Sequence, residues 1–511
     1  MTAVEGAVES EAAATQEGQD RARPVRNASY LALANIGAKV FSFVFVLYAN
    51  RVLHPTLMGE YATAMGYVGL FGVLSDLGLG TLTIRDVSRD RSLAVRYISN
   101  TLLLRTLLSV LSIALAVALA QTYIDADLRA AVYVLALGLV PQAVTNTLQL
   151  VFQYSERLAY GAALNVVNSA ATATLGILVL ALGQRVLALV VVYVGILAAT
   201  CAATTWVAYT RFLPRRLELD LTWWPLLIKA ALPFASLTFI NVLYNNADRQ
   251  ILYALSGCGH APPGAGCRPV GEYSAAYRAL DILVLVFVGS INAAVLPAFM
   301  RAGADSRRAL GRLVRVSGTL ALAFGAPVAL VVTFFPTEVL RVVGGKDYLA
   351  AAPALAVLIW TFPCVLLLTL LYNALYAVHR QRIVTAAFAV TLVFNVAANL
   401  LLIPRYSYLA SAAITVASEV VNGAIVLYVL RRELGPLGLG PAAARVAGIA
   451  VAAALTLWLL RPYGIVVGLP AGVLIILSGL RLARVLGPAE QEILGRAPVF
   501  GRYARLLSRG S

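Results

Sequence analysis

The sequence predicts an all-α polytopic membrane protein with two six-helix lobes in parallel internal repeat and two extra C-terminal helices. Of its 511 residues, 60% are hydrophobic and only 13% are charged, whereas an average soluble domain is roughly 25% charged. Apolar stretches of about 20 residues, the length of a membrane-spanning helix, recur between short polar segments. Short motifs also recur in the two halves of the chain, which indicates an internal repeat.

The hydropathy pattern places about 14 spans along the chain. They are expected near residues 28–50, 57–80, 97–120, 129–153, 159–183, 186–210, 226–256, 273–300, 316–336, 349–378, 382–403, 407–430, 443–460 and 464–481. So many long apolar segments, separated only by short polar segments, leave too little polar surface for a fold in water. The lipid bilayer is therefore the expected solvent.

These spans divide the chain into six parts. We expect a disordered cytoplasmic tail at 1–27, an N-lobe at 28–210, a cytoplasmic connector at 211–225, a C-lobe at 226–432, two further spans at 433–486 and a cytoplasmic tail at 487–511. The first 20 residues are acidic and polar, without the apolar stretch of a signal peptide. In the connector, Trp223 and Trp224 suit an interfacial elbow, although an ordinary loop with aromatic anchors would look the same.

The net charge of +16 is distributed unequally between the two sides of the predicted topology. With the N-terminus inside, 27 of the 40 basic residues fall on the inner side, 8 on the outer side and 5 within spans. Because Lys and Arg are enriched in cytoplasmic loops, both termini are predicted to be cytoplasmic in a cell membrane. The basic balance therefore does not indicate a nucleic-acid partner.

The internal repeat is carried by two motifs. Gly59-Glu60-Tyr61 recurs as Gly271-Glu272-Tyr273, and residues 46–50 resemble residues 242–246. Spans 1–2 thus correspond to spans 7–8, and six spans repeat in the same orientation. Transporters built from such repeats bind substrate between the halves and move one half against the other, so the repeat favours a transporter.

Four cysteines occur in the sequence. Cys258 and Cys267 flank a loop that is outside in the predicted topology, where a disulfide can persist. A zinc site with His260 is the weaker alternative, because two thiols and one imidazole do not complete a structural site. Cys201 and Cys364 fall in apolar runs and are expected to be inert. We expect no metal and no cofactor.

Several polar and ionisable residues fall inside predicted spans, where a charge costs about 2.5–3.5 kcal/mol on insertion scales. Span 1 carries Asn35 and Lys39, span 7 carries Asn241, Asn245, Asp248 and Arg249, and span 8 carries Arg278 and Asp281. Lys39, Arg249 and Arg278 are predicted to bind substrate, with Asn35, Asn241 and Asn245 as polar lining. The alternatives are salt bridges between helices for Lys39 and snorkelling to the membrane surface for the arginines.

Four acidic residues within or at the ends of predicted spans are expected to form contacts between side chains or to act in gating. Asp248 and Asp281 are expected to pair with Arg249 and Arg278, and a proton- or cation-coupling role for either acid is the less favoured alternative. Asp76 and Arg85 flank the cytoplasmic end of span 2, near Arg105 of span 3, and suggest an ion pair or a gate there. Glu419 in span 12 either hydrogen-bonds a neighbouring helix or lines the C-lobe.

Four segments in order resemble the polysaccharide and lipid-linked oligosaccharide flippases of the multidrug/oligosaccharidyl-lipid/polysaccharide exporter superfamily. They are Asn50-Arg51-Val52-Leu53-His54-Pro55 with Gly59-Glu60-Tyr61, Ser75-Asp76-Leu77-Gly78-Leu79 with Ile84-Arg85-Asp86, Asp248-Arg249 with Gly271-Glu272-Tyr273-Ser274-Ala275-Ala276-Tyr277-Arg278, and Leu402-Ile403-Pro404-Arg405-Tyr406 through Ala412-Ala413. The resemblance covers residues 25–435. Two features differ from the family pattern. His54 stands where the family usually has Gly before Pro, and the segment between Cys258 and Cys267 is an insertion.

The resemblance implies a two-lobed fold with alternating access to a central cavity and a polyprenyl-diphosphate-linked sugar as cargo. Membrane lipids, and a glycan polymerase or glycosyltransferases, are the expected partners. A multidrug or cation exporter would need cavity carboxylates without basic neighbours. A membrane glycosyltransferase or polymerase would need an acidic catalytic motif and usually a large outer loop. The repeat argues against a scaffold, and the chain has neither a Gly-rich phosphate loop nor a Ser-His-Asp set.

Overall fold

The computed structural model describes residues 2–213, 218–258, 267–483 and 485. These ranges contain helices and no β-strand, which confirms the all-α fold class. The α-helices are α1 Thr2–Asp76, α2 Leu79–Arg89, α3 Ala94–Tyr123, α4 Ala126–Leu137, α5 Leu139–Tyr154, α6 Leu158–Ala181, α7 Val186–Arg211, α8 Trp224–Leu255, α9 Arg268–Asp305, α10 Arg307–Phe334, α11 Pro336–Val343, α12 Ala352–Leu358, α13 Thr361–Ala377, α14 Gln381–Tyr406, α15 Tyr408–Leu434, α16 Leu439–Leu460 and α17 Gly464–Leu482. The predicted tail at 487–511 lies outside the described residues.

The apolar helices make the chain a multi-pass membrane protein. In the described ranges, 9 helices are long and apolar enough to cross a membrane, or 11 segments if each of two bent pairs forms one span. The predicted count of 14 is not confirmed. Part of the difference lies in Ile36–Arg89, which has 54 residues and covers two predicted spans, since about 20 residues cross a bilayer. The last predicted span corresponds to a shorter apolar helix, Val466–Leu482.

The break between the first two predicted spans lies at His54. Its backbone is non-helical within α1, with φ 54° and ψ 173°, a conformation that favours glycine and costs other residues roughly 1–3 kcal/mol. Pro55 follows and disfavours the helical conformation at His54. The ring nitrogen Nδ1 of His54 lies 2.5 Å from Oδ2 of Asp347. This contact holds the imidazole at a position where the resembling family usually has glycine.

The beginning of the chain differs from its prediction. The sequence predicts a disordered tail at 1–27, whereas α1 begins at Thr2. This segment is rich in Ala, Glu and Gln, which have high helix propensity, so the helix of the first span continues into it.

The contacts divide the chain into two compact units, and the division does not coincide with the predicted connector at 211–225. Thr63–Val242 belongs to the first unit, whereas His54–Ala62 and the described residues from Leu243 onward belong to the second. The start of α8 therefore lies in the first unit. It packs there because Leu227 and Ala231 join a buried cluster with Leu79, Leu82 and Leu104 of α2 and α3.

The predicted elbow is docked on α3 through Asn100, whose side chain is fully buried. Its Nδ2 donates to the backbone oxygen of Glu218 at 2.9 Å. Its Oδ1 accepts from the backbone N–H of Asp220 at 2.9 Å and from Nε1 of Trp224 at 3.0 Å. One buried amide thus fixes three residues of the chain that leads into α8.

The carboxylate of Asp220 adds a surface contact to the elbow. Hydrogen bonds from Thr222, and then from Arg96 at 2.6 Å, hold the pKa of the Asp220 carboxyl below its usual value. A lowered pKa in the folded state means that these bonds stabilise the fold above the usual pKa of about 3.9 and are lost as the pH falls through the lower folded value.

In the second unit, the two copies of the repeated motif contact each other through their glycines. A Cβ atom added to Gly59 would lie 1.9 Å from the backbone oxygen of Cys267 and 2.9 Å from the nitrogen of Gly271. One added to Gly271 would lie 1.8 Å from the backbone oxygen of Pro55. Both positions therefore exclude a side chain, since atoms this close to the rigid backbone cannot be accommodated.

The last two helices also pack within the second unit. Val446 and Leu457 of α16 share a buried apolar cluster with Ile476 and Leu480 of α17 and with Leu330 of α10. The predicted appendage is therefore attached to the second unit through α10.

The glycine contact leads to a stability prediction. Gly59→Ala and Gly271→Ala should each destabilise the protein by roughly 1–3 kcal/mol, because the added methyl group forces the two backbones apart. Thermal unfolding of the purified variants in detergent measures this. Gly195→Ala in α7 is the matched control, since its Cβ meets nothing within 4 Å and Ala favours helix over Gly. Equal melting temperatures for all three variants would contradict the contact.

Candidate functional site

Asp248 of α8 lies at the centre of a polar cluster in the second unit, where it is 4% exposed. Its carboxylate accepts hydrogen bonds from Oη of the fully buried Tyr273 at 2.5 Å and from the backbone N–H of Arg249 at 2.8 Å. Oη of Tyr273 also lies 3.1 Å from Oγ1 of Thr415. The carboxylate thereby links α8, α9 and α15.

The guanidinium of Arg249 does not form the predicted ion pair with Asp248. It lies over the ring of Tyr277 instead, 4.6 Å from the centroid, and its buried Nε has no hydrogen-bond partner. The reason is packing, because the Arg249 guanidinium stacks on Tyr277 of α9 while the hydroxyl of Tyr273 lies beside the Asp248 carboxylate. Tyr273 therefore replaces Arg249 as the side-chain partner of the acid, and Arg249 keeps unsatisfied donor capacity.

Arg278 of α9 does not contact its predicted partner, Asp281, directly. Among the described residues, its guanidinium forms neither an ion pair nor a hydrogen bond, and the nearby Asp281 is exposed and unbonded to it. Arg278 interacts electrostatically with Asp281 and with the hydroxyls of Tyr61 and Tyr348. Side chains on a helix lean toward its N-terminus, so the long Arg278 side chain extends away from Asp281, which follows it.

Glu419 of α15 is buried, at 9% exposed. Oη of Tyr244 on α8 donates to its Oε1 at 2.9 Å. The ring of Tyr244 packs on Phe388 of α14 at 5.8 Å, and Phe388 contacts Tyr372 of α13. Of the two roles left open by the sequence, the structure contains the hydrogen bond to a neighbouring helix.

The other predicted binding residues lie on α1 and α8. The side chain of Lys39 is exposed on α1 in the first unit. Asn241 and Asn245 are exposed on α8, and both interact with other residues. The side chain of Asn35 lies outside the described part of the structure.

Asp76 of the first unit forms an ion pair with Arg105, and Arg85, which was named in the same prediction, does not take part in it. Its Oδ1 lies 2.5 Å from Nη2 of Arg105, which is 4% exposed and also donates to Oγ1 of Thr147 at 3.1 Å. Arg85 instead contacts the neighbouring Asp86 through two hydrogen bonds of 2.6 and 3.0 Å. Hydropathy placed Asp76 and Arg85 at the same end of span 2, but Arg105 projects from α3 into the bundle, where burial favours pairing.

The sulfur atoms of Cys258 and Cys267 are bonded to each other. The backbone N–H of Cys267 donates to the backbone oxygen of Thr56 at 3.3 Å, next to the glycine contact. No cluster of three or more His, Cys, Asp or Glu side chains that could hold a metal occurs in the described ranges. His260 of the zinc alternative lies outside these ranges.

The tyrosines that donate hydrogen bonds to the buried acids were not among the predicted site residues. Tyr273, Tyr277 and Asp281 follow one another at four-residue intervals and so share one face of α9, a signal that was present in the sequence. Tyr244 and Glu419 lie 175 residues apart, and no local pattern could pair them.

The ion pair of Asp76 leads to a second prediction. Asp76→Asn leaves Arg105 buried without a counter-charge, which costs roughly 3–5 kcal/mol for a fully buried pair. The cost should be lower here, because the Asp76 side chain is 27% exposed. Asp76→Leu with Arg105→Leu should recover most of the loss, because neither charge remains buried. Thermal unfolding of the single and double variants measures both effects.

The matched control for that experiment is the exposed pair of Arg91 and Glu156, whose side chains are 66% and 77% exposed. Glu156→Gln should change stability by no more than about 1 kcal/mol. A stable Asp76→Asn variant that loses transport would instead assign the pair to a gate.

Comparison with known proteins gives matches in sequence and in fold. A family model described as "Polysaccharide biosynthesis protein" matches residues 25–302, more than half of the chain, and the MatE model matches residues 258–401. Over 90 residues the chain is 30% identical to an uncharacterized membrane protein, MJ1068, of Methanocaldococcus jannaschii. That match spans 18% of this chain and 18% of the relative.

Two solved structures are similar over most of their length. The fold matches that of the lipid II flippase MurJ in an inward closed conformation, with a TM-score of 0.72 and 9% identity over 88% of this chain and 98% of that one. It also matches an inward-facing multidrug resistance MATE family transporter of the MOP superfamily, with a TM-score of 0.56 and 14% identity over 79% and 98% of the two chains. The chain therefore belongs to the polysaccharide biosynthesis protein family and has the transporter fold of the multidrug/oligosaccharidyl-lipid/polysaccharide exporter superfamily.

Proposed function

We propose that this protein moves a polyprenyl-(di)phosphate-linked oligosaccharide, or a related lipid-linked glycan, from the cytoplasmic to the outer leaflet by alternating access. The observation that carries the proposal is the unpaired guanidinium of Arg278, beside Arg249 with its unsatisfied Nε. An arginine inside a membrane protein whose guanidinium donates no hydrogen bond to the protein has donors free for an anionic ligand, which would help to offset its desolvation.

A lipid diphosphate has the complementary chemistry. Its phosphates carry about two negative charges, which cannot enter hydrocarbon without compensation. The guanidinium fork of Arg278 can donate two parallel hydrogen bonds to phosphate oxygens, and Arg249 supplies a second set of donors. We propose Lys39 as a further cation for the headgroup and Asn35, Asn241 and Asn245 as polar lining for the sugars.

An apolar cavity in the second unit supports a lipid cargo. It has a volume of about 620 Å³ and is lined by residues of α10, α13, α15 and α16, including Leu330, Leu367, Val420 and Val446. Part of the prenyl chain would cover these side chains and exclude water from them. Burial of apolar surface contributes a favourable free energy of roughly 25 cal/mol per Å².

A multidrug or cation exporter is the second candidate, supported by the likeness to a MATE transporter. A cationic cargo requires an accessible carboxylate. Asp248 is buried and already accepts two hydrogen bonds, and Glu419 accepts one from Tyr244. The exposed Asp281 has Arg249 and Arg278 as electrostatic neighbours, which disfavour a cation there. The unsatisfied donors belong to arginines, so the charges favour an anionic cargo.

We propose further that the protein lies in the cytoplasmic membrane with both termini in the cytoplasm, where a glycan polymerase or glycosyltransferases would act before or after it. Single cysteines at the exposed positions of Ala126 and Lys346, in a background without free thiols, should react with a membrane-impermeant maleimide added to whole cells. Cysteines at Arg308 and Arg432 should react only after permeabilisation. Labelling of Lys346 and Arg308 positions from the same side would contradict this orientation and the 14-span topology.

The cationic site leads to a binding prediction. Arg278→Gln and Arg249→Gln should each weaken binding of a polyprenyl-diphosphate-linked oligosaccharide to the protein in nanodiscs roughly tenfold to a hundredfold, because each lost charge-assisted contact is worth about 1.5–3 kcal/mol. Lys39→Gln should act in the same direction, while Lys39→Arg should retain partial transport. Calorimetric or thermophoretic titration measures the affinities.

This experiment has two controls, the melting temperature of each variant and the substitution of an arginine far from the site. Because Arg278 has no ion pair to lose, Arg278→Gln should fold with an unchanged or raised melting temperature. Arg382→Gln, at the exposed start of α14, should leave binding unchanged. Well-folded Gln variants of Arg249, Arg278 and Lys39 with unchanged affinity would show that these cations are not the substrate site.

A further inference from the structure

Glu419 differs from the other buried acid of the second unit in having no cation to offset its charge. Asp248 accepts two hydrogen bonds and lies beside Arg249, which attracts it electrostatically. The carboxyl of Glu419 has one hydrogen-bond donor, the hydroxyl of Tyr244, and forms no ion pair in the described part of the chain.

The titratable groups that face Glu419 are uncharged at neutral pH. Besides Tyr244 of α8, they are Tyr277 of α9 and Cys364 and Tyr372 of α13, each close enough to interact electrostatically with its carboxyl. The interior of α12 contains no ionisable residue. Phenols and a thiol can solvate a neutral carboxyl group but cannot neutralise a carboxylate.

Of the arginines on α8 and α9, Arg249 stacks on the ring of Tyr277, and neither Arg249 nor Arg278 pairs with Glu419. On α15, Arg431 and Arg432 lie roughly 20 Å along the helix from Glu419 at 1.5 Å per residue. On α10, Arg307 contacts Glu433, and Arg315, the last arginine of that helix, lies against Gly438 beyond the end of α15. On α14, Asn395 is level with Glu419, since it donates to Ser418 at 3.0 Å.

The arginines of α14 are likewise far from this level. Arg382 is 13 residues before Asn395 and Arg405 is 10 residues after it, which places them roughly 20 and 15 Å away along the helix. In the described part of the chain, no arginine therefore pairs with Glu419, whose carboxyl is affected by burial and by the hydrogen bond from Tyr244. An unpaired carboxylate inside a membrane is unfavourable by several kcal/mol, and such a group binds a proton instead.

We propose that Glu419 is a reversible proton-binding site: the carboxyl is protonated while it is buried against Tyr244, and it releases the proton when α15 presents it to water. Protonation adds a hydrogen to one carboxylate oxygen, while Oε1 continues to accept the hydrogen bond from Tyr244. The buried side-chain amide of Asn422, one turn further on α15, interacts with the hydroxyl of Tyr372. Its Oδ1 has no hydrogen-bond partner and offers an acceptor for the new hydroxyl. Loading and release of this proton would let a proton gradient drive the transport cycle.

Infrared difference spectroscopy of the full-length protein in lipid nanodiscs tests the site without any cargo. At neutral pH the wild type should show the C=O stretching band of one protonated carboxyl group, and Glu419→Gln should lose that band. Tyr244→Phe should shift it, because the hydrogen bond to the carbonyl oxygen is lost. Glu156→Gln, which alters an exposed acid, should leave the band unchanged. Gln is isosteric with protonated Glu, so the variant should keep its melting temperature.

A wild-type spectrum identical to that of Glu419→Gln across neutral and acidic pH would overturn the proposal.

A second experiment tests the coupling step: proteoliposomes containing a polyprenyl-diphosphate-linked oligosaccharide are given a pH gradient. The wild type should flip the lipid faster with the gradient, whereas Glu419→Gln should flip it at a rate that the gradient does not change. Stimulation by sodium alone would contradict proton coupling. Absence of flipping in every protein would instead contradict the proposed function, while the infrared band would still decide the proton site.

Discussion

The free energy of a charge inside a bilayer is the constraint on which the arrangement of polar side chains depends. Each ionisable residue in a span costs about 2.5–3.5 kcal/mol unless it is compensated. Asp76 is compensated by Arg105, and Asp248 by the hydroxyl of Tyr273 and a backbone N–H. Arg278 forms neither a hydrogen bond nor an ion pair among the described residues, and only the electrostatic attraction of Asp281 and of two tyrosines acts on it; we propose an anionic cargo as its further compensation.

A second constraint is the close contact of the repeated motifs. Gly59 and Gly271 occupy equivalent positions in the two repeats, and each approaches the backbone beside the other so closely that a methyl group would not fit. The bonded pair of Cys258 and Cys267 and the contact of His54 with Asp347 also involve the segments around these glycines. A contact of backbone on backbone is rigid, so this part of the second unit is well suited to act as a fixed support for α8 and α9, which carry the polar cluster.

The sequence predicted the fold class and most of the charged positions, because hydropathy and helical spacing are local properties. It did not predict the pairing. Asp248 was matched with the adjacent Arg249, whereas its side-chain partner is Tyr273. An ion pair was expected among Asp76, Arg85 and Arg105, but the sequence did not say that Arg105 is the partner of Asp76. Partners on other helices depend on which faces pack together, and one sequence does not contain that information.

Conformation at single residues was equally difficult to predict. His54 was noted as a departure from a family glycine, but its positive φ and its contact with Asp347, 293 residues away, could not be seen in the sequence. The helix at the start of α1 is a different case, because its composition of Ala, Glu and Gln was visible and its polarity was interpreted as disorder.

The central claim is that the unpaired cations of the second unit serve an anionic lipid cargo. The most direct measurement is transbilayer movement of a fluorescent polyprenyl-diphosphate-linked oligosaccharide in proteoliposomes, followed by chemical quenching from the outside. The account predicts that the wild type exposes the lipid to the quencher, that Arg278→Lys retains part of this rate, and that Arg278→Gln, folded to the same extent, loses it. Equal rates for the wild type and Arg278→Gln, or movement of a cationic dye in place of the lipid, would contradict it.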